Sequence, residues 1–143
     1  MDFVTPFKTG LKKGFSVTLA IMKVVIPCYI IIEFIKHAGI IDIIGRIFKP
    51  FMGIFGLPGE AALALIAGYL VNLYAAIAIL TPLGLPAKDI TIIALMLGIS
   101  HSLTVETPIT RQTGVNAWLL TLVRIVVSLA SGVGLNLVWT LFS

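Results

Sequence analysis

Eleven consecutive residues, Gly98-Ile99-Ser100-His101-Ser102-Leu103-Thr104-Val105-Glu106-Thr107-Pro108, gather an imidazole, a carboxylate and four hydroxyls in an otherwise apolar chain. On a helix, Ser102 and Glu106 share one face four residues apart, and His101 pairs with Thr104 three residues on. Pro108 lacks an N–H and leaves the carbonyl of Thr104 without its helical donor. Freed carbonyls, hydroxyls and a carboxylate suit a cation or a small polar solute. His101 and Glu106 are also the groups here that can bind or exchange protons. Asn72 adds an amide about 18 Å of helix from Glu60, near the middle of a second apolar stretch. The expected substrate-binding set is His101, Glu106, Ser102, Thr104 and Asn72.

Each of these residues has a structural alternative. Glu106 can pair with Arg111 or Arg124 across a helix bundle, and His101 can simply hydrogen-bond a neighbouring helix. Glu33 and Arg124 read as a buried pair or as side chains that snorkel to a span end, and Lys23 snorkels as well. Catalytic signatures are missing: H-E-x-x-H, G-x-S-x-G, a Walker loop and a C-x-x-C pair do not occur, so neither an enzyme nor a cofactor is expected. Two distant histidines and the single Cys28 do not supply a closed transition-metal site within one chain.

The elements that hold these groups must lie in a bilayer. Of 143 residues 59% are hydrophobic and only 11% are charged, against about 25% in a soluble domain. The formal net charge of +4 comes from basic residues scattered between apolar stretches, which fits lipid headgroups and not nucleic acid. A crossing needs roughly 20 apolar residues. Stretches at about 15–36, 59–80, 89–103 and 117–142 are the candidates. The first is expected to kink at Pro27, the second is the clearest span, and the third is too short and therefore broken. Trp118 and Trp139 bracket the fourth, about 31 Å apart at 1.5 Å per residue, and mark two interfaces. Residues 39–57 are amphipathic: Ile40, Ile43, Ile47 and Phe51 recur at helical spacing while Asp42, Arg46 and Lys49 share the other face, so this helix lies in the interface or re-enters.

Gly56-Leu57-Pro58 and Gly84-Leu85-Pro86 echo each other at two helix starts, with Glu60 or Asp89 following at the positive helix end. Ala64, Gly68, Asn72 and Ala76, and likewise Ser128, Gly132, Asn136 and Thr140, form ridges of small side chains that permit close helix contact. Four crossings would put both termini on one side with Lys8, Lys12, Lys13 and Lys88, facing Lys36, Arg46, Lys49 and Arg111. That balance of four against four specifies direction weakly and allows insertion both ways.

Phe55-Gly56-Leu57-Pro58-Gly59-Glu60, the apolar helix with Gly68 and Asn72, and Ile99-Ser100-His101-Ser102-Leu103-Thr104-Val105-Glu106-Thr107 resemble the nucleoside-recognition, or Gate, domain. This domain is found in concentrative nucleoside transporters, the membrane part of the ferrous-iron transporter B family, and small stand-alone proteins such as the spore-maturation pair. The likeness covers roughly 33–115. It implies half of a transporter, since the larger members carry two inverted copies around a site of broken helices. With the balanced charge it implies a homodimer, possibly antiparallel. Tyr69 to Tyr74 reads Tyr-Leu-Val-Asn-Leu-Tyr and lacks the cysteine of the iron transporters' Gly-Cys-x-x-Pro helix, so iron does not carry over. Nor is there an aromatic clamp for a base. The expectation is an all-α integral membrane protein of about four transmembrane helices plus an amphipathic or re-entrant helix, with the third helix broken. Residues 1–143 form one membrane domain of a prokaryotic inner membrane, transporter-like or channel-like for a small polar solute or ion, or else a non-transporting partner subunit.

Overall fold

A computed structural model describes residues 4–142, and among them the chain is helical throughout with no strand. The order is α1 (Val4–His37), α2 (Ile40–Met52), a 3₁₀ turn (Gly53–Phe55), α3 (Ala61–Leu70), α4 (Leu73–Leu83), α5 (Ala87–Ile99), α6 (Leu103–Arg111) and α7 (Ala117–Phe142). Three segments are long and apolar enough to cross a membrane: Val4–His37, Ala87–Arg111 and Ala117–Phe142. The all-α membrane architecture, the amphipathic second helix and the broken third apolar segment are as expected. Helix α1 runs unbroken through Pro27, and its 34 residues make it about 51 Å long, well beyond the bilayer core.

The second apolar stretch departs from expectation. It is not one crossing but two short helices, α3 and α4, separated at Val71–Asn72 and packed against each other. Asn72 adopts a fully extended backbone, and its side-chain oxygen accepts from the Ala75 N–H at 2.9 Å, an N-cap that starts a new helix in mid-stretch. A Cβ on Gly68 would lie 3.2 Å from that of Ala76, and Ala64 shares a cluster with Ile79, so the two arms run antiparallel. With ten and eleven residues the arms reach about 15 Å, half of the 30 Å hydrocarbon. The stretch is a re-entrant hairpin whose tip stops at mid-depth. The small-residue ridge serves to close this hairpin on itself.

Helix α3 is the centre of the packing. Ala61, Ala62 and Leu65 join Met52, Leu57, Ala76, Ile92, Ile93, Met96 and Leu97 in one core, while Ala64 joins Ile32, Ile41 and Ile79 in another. Burial on several faces explains why this helix carries so many alanines. Helices α1 and α4 pack together on one flank, α5 and α7 on the other. The Lys36 ammonium donates to the Pro82 carbonyl at 2.6 Å, fixing the end of α1 to the end of the hairpin. Both glycines of the Gly-Leu-Pro echo have left-handed backbone, Gly56 at φ +64° and Gly84 at φ +61°, so the repeat reflects one turn used twice.

Because the hairpin returns to its starting side, the three segments long and apolar enough to cross put the start of α1 and the end of α7 on opposite sides. Lys8, Lys12, Lys13 and Arg111 then share one side and Lys36, Arg46, Lys49 and Lys88 the other. Lys88 and Arg111 have changed places relative to the sequence reading, and the balance of four against four survives.

Candidate functional site

The hairpin tip meets the interruption of the third apolar segment. Helix α5 ends at Ile99, Ser100 is extended, and Ser102 adopts φ +50°, the single non-glycine among the described residues with positive φ. A left-handed serine costs energy that a packed environment must hold in place. Two contacts do so. The Ser102 N–H donates to the Gly68 carbonyl at 2.9 Å, and the Thr104 hydroxyl donates to the Leu70 carbonyl at 2.6 Å. The interruption thus satisfies two of the carbonyls left open at the end of α3.

Four of the five expected site residues gather here directly. His101 Nδ1 lies 3.2 Å from Ser102 Oγ and 3.4 Å from Glu106 Oε1. Its partners are therefore Ser102 and Glu106, not Thr104, which reaches across to the hairpin. Asn72 sits at the tip, two residues beyond Leu70, with its oxygen committed to its own helix. Ser102 occupies the position just before α6, with no side-chain capping bond, instead of riding on the helix face. Pro108 lies inside α6 and does not end it.

Arg124 stood in the sequence reading as one of two possible partners for Glu106 and was left out of the site. Expected to snorkel or to form a structural pair, it reaches from α7 to Glu106 Oε2 through Nη1 and to the Ile99 carbonyl through Nε at 3.1 Å. One guanidinium thereby fastens the end of α5 to the first turn of α6, and the carboxylate it neutralises is about one-third exposed. Glu106 is consequently not a bare anion. Deeper in, Ser128 donates to the Met96 carbonyl at 2.7 Å and is itself reached by the Tyr69 hydroxyl at 2.7 Å; since the serine proton is committed to the carbonyl, tyrosine is the donor. Ser100 is fully buried and its hydroxyl has no partner. The one sequence cue for Arg124 was its position seven residues into an apolar span, too deep for an unpaired charge.

Carbonyls at both interruptions are thus partly taken by the protein's own donors: Gly68, Leu70, Met96 and Ile99 each accept a hydrogen bond. Among the described residues there is no group of three or more His, Cys, Asp or Glu that could hold a metal ion. What the arrangement offers is an imidazole edge, a neutralised carboxylate, hydroxyls, and the unfinished ends of four half-helices at one depth. Such a place can hold a small solute through hydrogen bonds.

The sequence matches the Gate family, described as nucleoside recognition, over residues 18–115, which is 98 of the 143 positions and includes both interruptions. The chain belongs to the Gate family. This Gate protein is 36% identical over 133 residues to the membrane protein YvoD of Bacillus subtilis, across 93% of the chain and 43% of YvoD. It is 33% identical over 92 residues to the inner membrane protein YjiG of Escherichia coli K12, across 61% of the chain and 60% of YjiG. The chain spans less than two thirds of the length of either relative. No solved structure matches it. The Gate region extends further toward the N-terminus than the 33–115 read from the motifs, taking in most of α1, the helix that packs on the hairpin.

Proposed function

We propose that this Gate protein is half of a dimeric membrane unit that binds or translocates a small polar solute where the hairpin tip meets the α5–α6 interruption. The observation that carries the reading is the tie between them: Ser102 to Gly68 and Thr104 to Leu70 bring two broken helical segments together at mid-depth. Backbone is interrupted inside hydrocarbon where it lines a cavity or a protein interior. His101 and Glu106 bind or exchange protons and Ser102 and Thr104 supply hydroxyls, with Asn72 shaping the tip. A transport or channel role suits this better than an enzyme: His101 Nδ1 lies 3.2 Å from the Ser102 hydroxyl, but Glu106 faces that same nitrogen and not Nε2, where a hydrolytic triad would need its carboxylate. The even charge balance supports a partner inserted in the opposite direction, and YvoD, with more than half its length unmatched, has room for a second unit in one chain. Membership beside an inner membrane protein supports a prokaryotic inner membrane as the location.

A second reading is a non-transporting subunit that stabilises a partner, and the pairing of Glu106 with Arg124 favours it. One experiment separates the two. Purified protein is screened by thermal shift against nucleosides, amino acids, small carboxylates and mono- and divalent cations, and each hit is tested for uptake into proteoliposomes. Replacing Glu106 by Gln should abolish binding and uptake while leaving oligomeric state unchanged. Uptake that is indifferent to Glu106→Gln removes the residue from the mechanism, and the absence of any hit favours the subunit reading.

A further inference from the structure

A concave feature lies on the side of α6 turned away from Glu106. It is a cavity of about 530 Å³ between α6 and α7, walled mainly by apolar groups of Leu103, Pro108, Ala117 and Trp118 and ending at Arg111. From Leu103 to Arg111 it extends about 12 Å at 1.5 Å per residue, most of the depth of one leaflet of a 30 Å core. Its mouth is at the membrane surface, because Arg111 closes one crossing and Trp118, 74% exposed, stands at the start of the next.

We propose that this groove binds an anionic phospholipid, one acyl chain lying along α6 and the phosphate held at Arg111. Three observations select that occupant. The long wall is apolar, which suits hydrocarbon and would be wasted on a water-soluble anion. Arg111 has no carboxylate partner: among the described residues the ion pairs are His37 with Glu33 and Glu106 with His101 and Arg124. A fixed positive charge at headgroup level is complementary to a lipid phosphate that carries no compensating amine. Finally, α7 starts at the same mouth, and its positive helix end adds to the charge of Arg111. The inner end of the groove includes Thr104, the residue that bonds the hairpin tip, so the lipid chain abuts the crossing of the two interruptions.

Trp118 is a built-in reporter. In a Trp139→Phe background it is the remaining tryptophan, and it can be quenched by bromine on lipid acyl chains. The protein is reconstituted into phosphatidylcholine vesicles containing a minority of phosphatidylglycerol, with the bromines placed on one lipid or the other. The expected association ratio, phosphatidylglycerol over phosphatidylcholine per mole, is about fivefold, the effect of one basic side chain near an anionic headgroup. Arg111→Gln, at an exposed position, should bring the ratio near one. So should Thr121→Phe, which fills the groove but leaves Arg111 in place. Equal quenching by both lipids in the parent overturns the proposal, as does a preference that persists in Arg111→Gln. A preference that persists in Thr121→Phe overturns it by showing a lipid at the protein's surface and not in the groove. Shielding of Trp118 from both brominated lipids overturns it in favour of a second copy of the chain.

Discussion

The Glu106–Arg124 contact can be tested by a double-mutant cycle. The side chains are 31% and 26% exposed, so the pair lies between exposed pairs, worth below about 1 kcal/mol, and fully buried ones, whose disruption costs about 3–5 kcal/mol. An intermediate cost of about 2 kcal/mol is expected for Glu106→Gln, because it removes the charge and leaves one acceptor oxygen where the guanidinium and His101 each had their own. Arg124→Gln should cost a similar amount, since it leaves a half-buried carboxylate unneutralised and releases the Ile99 carbonyl. The double variant should lose far less than the sum, with a coupling of about 1.5 kcal/mol, roughly a tenfold change in the unfolding equilibrium. Unfolding by SDS in mixed micelles, followed by far-ultraviolet circular dichroism, measures all four proteins. Asp42→Asn, at an exposed position of α2, serves as the control and should change nothing. Additivity within about 0.4 kcal/mol would refute the placement of Arg124 and with it the clamp across the α5–α6 interruption.

Further outcomes follow from contacts at backbone turns. A Cβ on Gly59 would lie 1.9 Å from the Gly45 carbonyl oxygen, whereas one on Gly45 would meet the movable Glu60 carboxylate at 3.0 Å. Gly59→Ala should therefore cost more than about 3 kcal/mol or abolish accumulation in the membrane, and Gly45→Ala should cost about 1 kcal/mol, both measured in the same micelle assay. Asn72→Ala should destabilise the hairpin by about 1 kcal/mol through loss of the cap, and Asn72→Asp should restore most of it. Ser102→Gly should relieve the left-handed backbone and leave stability unchanged or raised by about 0.5–1 kcal/mol. If it behaves like Ser102→Ala, the φ of +50° is not what limits this position. Lys36→Met should raise hydrogen exchange at the end of α4 by withdrawing the donor to Pro82, with a cost of about 1–2 kcal/mol.

The residues differ in how openly they announce their places. The α5–α6 interruption was visible because a histidine, a glutamate and four hydroxyls cannot continue an apolar crossing without shelter. Its position at Ser100–Ser102, ahead of Pro108, was not, because proline is the residue that marks a break, yet here it sits in the second turn of α6, where it removes only the donor to Thr104. The hairpin was hidden for the opposite reason. Tyr69 to Tyr74 contains neither glycine nor proline, and the twenty uncharged, mostly apolar residues 61–80 match a complete crossing by length and composition. Only Asn72 hinted otherwise: on a ridge of small residues it reads as an amide that lines a site, yet asparagine is also among the strongest helix starters, and its side chain caps α4. Arg124 could be paired with Glu106 in prospect but not chosen over Arg111, because eighteen and five residues of separation are equally compatible with contact in a bundle whose turns are unknown.

An odd number of passes has an evolutionary corollary. A molecule that goes in at one face and comes out at the other will, if its gene is copied head to tail and the copies are joined, lay down the second half upside down with respect to the first. No extra linking helix is required. A segment with an even number of passes would have to acquire one before repetition could give the same pseudo-twofold arrangement, so the hairpin's turning back gives this three-pass segment the parity that inverted repetition needs.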